Sequence, residues 1–104
     1  MDETELAFAG VTRQAELIRA GGVSSRELAE LCLGRIERVD PELNAFRIVM
    51  AERALVDADQ ADARRGVGEE RPLLGVPIAV KDTQDVAGEI TTHGTAAHAG
   101  PATP

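Results

Sequence analysis

Apolar positions recur at helical spacing through most of the chain. Residues 3–9 form a short, weakly helical opening that Gly10 ends. A second helix is predicted over 11–20, with Val11, Ala15 and Ile18 on one face and Leu17 beside them. Gly21-Gly22 stops it, because glycine tolerates the left-handed backbone of a helix C-terminus. The clearest helix is predicted from Ser24 to about Val39. Ser24-Ser25-Arg26-Glu27 has capping-box spacing, in which the Ser24 hydroxyl accepts from the Glu27 N–H and the Glu27 carboxylate reaches back. Leu28, Leu31, Cys32, Ile36 and Val39 make one apolar stripe, while Arg26, Glu30, Arg35 and Glu37 lie off it. Asp40-Pro41 is expected to end this helix, since the residue before proline disfavours helical geometry. A fourth helix, Ala51 to about Arg65, presents Ala51, Ala54, Leu55, Ala58 and Ala61, small residues that admit a close neighbour.

Other stretches break the helical period. Ala45-Phe46-Arg47-Ile48-Val49-Met50 reads as a strand, because β-branched and aromatic residues suit a pleated surface. After a polar loop, Gly66 to Pro72, comes Leu74-Gly75-Val76-Pro77-Ile78-Ala79-Val80-Lys81-Asp82. Its apolar run, bounded by Gly and Pro, reads as a buried strand of about four to six residues, near 76–81. Glu89-Ile90-Thr91-Thr92 is a short extended piece, and Gly94 to Pro104 has no period. Helices flanking at least two strands give an α/β class.

Composition narrows the picture. Of 104 residues 43% are hydrophobic, but aromatics are limited to two Phe, and much of the apolar content is alanine. Such a chain forms a thin core, which suits one piece of a larger one. Net charge is −7 with no Lys/Arg cluster, which argues against direct nucleic-acid binding. The start Met1-Asp2-Glu3-Thr4-Glu5 is no secretory signal, and no apolar run approaches the roughly 20 residues of a membrane helix. One cysteine fits a reducing compartment. The expected location is cytoplasmic, with no membrane partner.

Lys81 is the only lysine; the other ten basic residues are arginine. Arginine keeps its proton near neutral pH, whereas a desolvated lysine can lose it. A single lysine where an apolar strand ends is thus a candidate for chemistry, although such a lysine ordinarily snorkels to water. The remaining candidates have simpler readings. Ser24 and Ser25, the only serines, fall at a helix start, where capping explains them, and neither sits in a GxSxG turn. His93 and His98 lack a zinc motif and read as loop histidines. Cys32 lies on an apolar stripe and reads as core. Asp57, Asp59, Asp62, Glu69 and Glu70 read as solvated carboxylates. No phosphate-binding or dinucleotide fingerprint occurs, and neither cofactor nor metal is expected.

The stretch Leu73 to Asp82, followed by Gly88 and by Thr91-Thr92-His93-Gly94-Thr95, closely resembles the start of the amidase-signature family. Ser24-Ser25-Arg26-Glu27-Leu28, Asp40-Pro41-Glu42-Leu43-Asn44-Ala45-Phe46 and Ala58-Asp59-Gln60-Ala61-Asp62 extend the resemblance over nearly the whole chain. It implies a serine hydrolase of carboxylic amides and a mixed sheet covered by helices. This chain supplies the N-terminal helices and first strands, an incomplete domain truncated after the lysine-bearing strand. In the family, the lysine at the Lys81 position belongs to a Ser–cis-Ser–Lys triad whose serines lie downstream in a Gly/Ser-rich segment absent here. The chain alone is therefore expected to be inactive, and the remainder of the domain, or a partner chain, is needed to complete the core. The substrate implied is a small amide. Asp82 is expected to fix the turn after the strand. Gly94-Thr95 stands where the family has Gly-Ser, and no catalytic role is carried over to it or to Asp82. Two other readings stand behind this one: the A subunit of the glutamyl-tRNA amidotransferase, which belongs to the same family, and a non-catalytic helical interaction module or gene remnant.

Overall fold

The computed structural model describes residues 1–94. Four helices are found there: α1 Glu3–Ala7, α2 Val11–Arg19, α3 Ser25–Leu43 and α4 Ala51–Gly66. Among the described residues none is long and apolar enough to cross a membrane.

Local bonds set several of the helix ends. The Asp2 carboxylate accepts from the Glu5 N–H and starts α1. Helix α2 stops at a left-handed Gly21, with the Gly22 N–H closing onto the Leu17 carbonyl at 2.8 Å. The capping box of α3 forms in full: the Glu27 N–H donates to Ser24 Oγ at 3.0 Å, and the Ser24 N–H donates to the Glu27 carboxylate at 3.1 Å.

Helix α3 does not end at Asp40-Pro41. It runs to Leu43 with Pro41 inside its last turn. Proline there forfeits one hydrogen bond, but the end is otherwise well closed. Asn44 takes the left-handed conformation and donates to the Asp40 carbonyl, and the Asp40 carboxylate accepts from the Ala45 and Phe46 N–H groups. These bonds outweigh the local preference of the residue before proline.

The core sits where α2 and the first half of α3 meet. Ile18 and Leu28 are fully buried, Val23 nearly so, and Leu6, Leu17, Leu31 and Val76 pack around them. Burying a side chain of this kind contributes about 1.5–3 kcal/mol. Helix α4 lies against α3 through buried Ala58 and Ala61, while Ala29 is buried on α3 itself. The stripe read from Leu28 to Val39 is covered only at its N-terminal end. Val39 is exposed, and so are Leu43, Val49 and Ile78.

No strand occurs among the described residues, so the expected mixed sheet is not found there. The segments 45–50 and 76–81 run without regular structure. Strand conformation needs a neighbouring strand to bond its N–H and C=O groups, and neither segment has one here.

Helix α4 also closes the N-terminus of α3 from outside. Both oxygens of Asp62 accept from it, Oδ1 from the Ser25 N–H at 2.8 Å and Oδ2 from the Arg26 N–H at 3.0 Å. Arg26 in turn binds Asp59 at 2.9 Å. The solvated reading is corrected for Asp62, which is half-buried and turned to α3, while Asp59, one turn earlier on the same face, stays exposed beside Arg26. Asp62→Ala is expected to cost about 1–2 kcal/mol, as losing a helix cap does. The helical circular-dichroism signal followed through a urea titration measures the loss.

A candidate active site around Lys81

The stretch carrying Lys81 is fastened at its beginning by a turn and at its end through Asp82. Residues 71–76 form a turn, with the Leu74 N–H on the Arg71 carbonyl and the Val76 N–H on the Leu73 carbonyl. An Arg19 N–H donates to the Pro72 carbonyl at 3.0 Å. The decisive fastening is the Ser25 hydroxyl, which donates to the Gly75 carbonyl at 2.6 Å. Gly75 has φ +88°, and a Cβ there would lie 3.0 Å from Ser25 Cβ. Conformation and space both require glycine. Ser24 is thus the helix cap, and Ser25 is a tether.

Beyond Val76 the chain leaves the core. The expected burial of 76–81 is not observed: Ile78 is 80% exposed, and Val80 and Lys81 are also exposed. Lys81 reaches a groove of about 650 Å³ walled by α3 and by residues 45–50, including Cys32, Ile36, Phe46 and Arg47. Its carbonyl accepts from the Gln84 N–H at 3.0 Å, which turns the chain.

Asp82 ties the following loop together. Its carboxylate accepts from the Thr92 N–H at 3.0 Å, from the Thr92 hydroxyl, and from Arg47 Nε–H at 3.0 Å. Its carbonyl accepts from the His93 N–H at 3.0 Å. These bonds, the Thr92 hydroxyl foremost, hold the Asp82 carboxyl below its ordinary range. The expected role of Asp82 in fixing the turn is seen directly, but its partners Arg47 and Thr92 are not legible as such in the sequence. Arg53 adds a bond to the Ala87 carbonyl at 3.1 Å.

Cys32 is half-buried, and burial pushes its thiol up against the opposing pull of Arg35. His93 sits in the loop with a left-handed backbone. His98 and Thr95 lie outside the described residues. Among the described residues no group of His, Cys, Asp and Glu is arranged to hold a metal.

Residues 27–104 match the model of the Amidase family. The chain belongs to the amidase family. AmiB2 of Mycobacterium tuberculosis, an amidase by name, is 51% identical over 102 residues, covering 98% of this chain and 22% of that protein. The glutamyl-tRNA(Gln) amidotransferase of Chromohalobacter salexigens has an A subunit that is 50% identical over 72 residues, covering 69% of this chain and 15% of that one. Among solved structures, the chain is similar to one in an inhibitor-bound, vestigial protein complex described as revealing the evolutionary origins of an s-triazine catabolic enzyme. The TM-score is 0.76 at 36% identity, over 92% of this chain and 20% of that one. This amidase chain thus spans about a fifth of the length of the relatives it matches.

The geometry at Gly75 and Asp82 can be tested directly. Gly75→Ala is expected to destabilise the chain by about 1–3 kcal/mol, since it adds a strained backbone to a close contact. Its urea midpoint, set beside that of the wild-type chain, reads this. Because the folded-state pKa of Asp82 is depressed, its contribution to loop order is present above the ordinary carboxylate pKa of about 3.9 and is lost as pH falls through the lower folded value. The Thr92 amide resonance should therefore hold its position down to about pH 4 and move only below it. In Asp82→Asn this step should vanish.

Proposed function

We propose that this chain is the N-terminal part of an amide hydrolase in which Lys81 is the general base of a Ser–cis-Ser–Lys triad. The observation that carries the reading is the family match over residues 27–104, which takes in the whole stretch around Lys81. The reading assigns residues 1–104 to a single amidase domain whose mixed sheet forms when the rest of the domain, or a partner chain, lies beside 45–50 and 76–81. Exposed Ile78, Val80, Val39 and Leu43 support it, because they are surface such a neighbour would bury. Ser24 and Ser25 are both occupied structurally, so the two triad serines belong to sequence beyond these residues.

In this mechanism the neutral Lys81 amine takes a proton from the bridging serine, which takes one from the nucleophilic serine. The nucleophile adds to the amide carbonyl, the C–N bond breaks, and ammonia or an amine leaves with a proton. Water then cleaves the acyl-enzyme to the carboxylic acid. A free lysine, with a pKa of about 10.4, is protonated at pH 7. The base therefore requires the desolvation that a completed domain provides. The isolated chain, with Lys81 open to water, is proposed to be inactive. We assign it to the cytoplasm and to a small-molecule amide substrate.

A second reading, the A subunit of a glutamyl-tRNA amidotransferase, is favoured by the 50% identity to that protein over 72 residues. There the released ammonia passes to a bound acceptor instead of to solvent.

Ammonia release from a panel of carboxylic amides tests the proposal in the full-length protein. Lys81→Ala is expected to reduce kcat/KM by about 10⁴-fold or more, as loss of a member of such a triad does. Full activity in Lys81→Ala would refute the assignment of the base. Hydrolysis by the 104-residue chain would refute its inactivity.

A further inference from the structure

Residues 82–92 follow Lys81 directly, and Gln84, Val86 and Glu89 among them line the same groove as Lys81. No residue of this loop is buried, so apolar packing does not hold it in place. Its own backbone closes over short distances. The Gln84 N–H donates to the Lys81 carbonyl, the Glu89 N–H to the Val86 carbonyl, and the His93 N–H reaches back to the Asp82 carbonyl. Two arginines tie the loop to the helical part of the chain. Arg47, in the connection between α3 and α4, meets three acceptors. Its Nε–H donates to Asp82 Oδ2 at 3.0 Å, and one terminal nitrogen donates to Asp82 Oδ1 at 3.5 Å and to the Ile90 carbonyl. Arg53, in the first turn of α4, donates to the Ala87 carbonyl at 3.1 Å. Its Nε lies 3.9 Å from the carboxylate of Asp57, one turn further along that helix.

We propose that Arg47 and Arg53 are positioning residues for the side of the groove that loop 82–92 supplies: Arg47 draws the two ends of the loop together, and Arg53 pins its middle to α4. The two clamps differ in chemistry. Arg47 spans both oxygens of a carboxylate and a backbone carbonyl, which takes the planar fork of a guanidinium. A lysine ammonium is a compact point charge and does not reproduce that fork. Arg53 serves a single loop carbonyl, for which one N–H donor is enough, and a lysine supplies one. The Asp82 carboxylate also accepts from the Thr92 N–H and hydroxyl, so the grip of Arg47 at the start of the loop is passed to its end. Without the clamps the loop keeps only its own short closures, and Gln84, Val86 and Glu89 lose their fixed place beside the groove.

In its catalytic consequence this proposal rests on the reading of Lys81 as the base; the clamp itself is read without catalysis. Amide hydrogen exchange, followed by ¹⁵N NMR in the 104-residue chain, measures it. In Arg47→Gln the Thr92 and His93 amides should exchange about tenfold faster, and Arg47→Lys should not restore them. In Arg53→Gln the Glu89 amide should exchange faster, and Arg53→Lys should restore it. The Ile18 and Leu28 amides should keep their wild-type rates throughout. Unchanged exchange at Thr92 and His93 in Arg47→Gln overturns the proposal, and so does full restoration by Arg47→Lys. Faster exchange at Ile18 and Leu28 overturns it as well, since the arginines would then hold the whole fold and not the loop. In the full-length protein, ammonia release should fall in both glutamine variants and return in Arg53→Lys alone. Wild-type release in both glutamine variants would overturn the positioning role. The two readings fail separately: full activity in Lys81→Ala discards the base and leaves the exchange pattern standing.

Discussion

The structure depends on what happens at the N-terminus of α3. A helix start leaves N–H groups without intrahelical partners. Here Ser24 within the capping box and Asp62 from α4 meet them, and at the same place the Ser25 hydroxyl donates to the Gly75 carbonyl and seats the 71–76 turn. Each partner comes from a different part of the sequence. One helix end therefore gathers α4 and the 71–76 turn to itself. The apolar core beneath, centred on Ile18 and Leu28, is small, so this polar convergence carries much of the specificity that larger chains draw from packing.

A second convergence lies at the other end of the lysine stretch. Gly75 anchors where it begins, and the Asp82 carboxylate with Arg47 and Thr92 anchors where it ends. Between the two anchors the chain makes no ladder, and from Ile78 to Lys81 it is exposed. The position of Lys81 is thereby set by its flanks, while the side chain itself is left open to the groove.

Most of this is legible where the cause is local. The four helices, the capping box and the glycine stop after α2 follow from spacing and from residue type at the helix ends. The outright departure among the helix boundaries comes at Pro41, where the local rule is sound but is outweighed by the bonds of Asn44 and Asp40. The strand expectation fails for the opposite reason. Residues 45–50 and 76–81 carry strand composition, but a strand is a relation between two segments, and composition specifies only one of them. Long-range polar pairs such as Asp62 with Ser25, or Asp82 with Arg47, leave no periodic trace, which is why the carboxylates of α4 read as merely wet. Lys81 stands out because its residue type is unique in the chain, and its family resemblance agrees with the match over residues 27–104.

The tether between Ser25 and Gly75 closes a loop of 50 residues. A chain emerging from the ribosome at about 5–20 residues per second exposes both ends of that loop within seconds of each other. The helical unit can then close before later sequence emerges, since loop closure costs little more at this length than at half of it. Once closed, it holds out Ile78 and Val80 with unpaired backbone on either side. During synthesis that segment is a template for the first strand to reach it, and equally for a strand of another nascent chain.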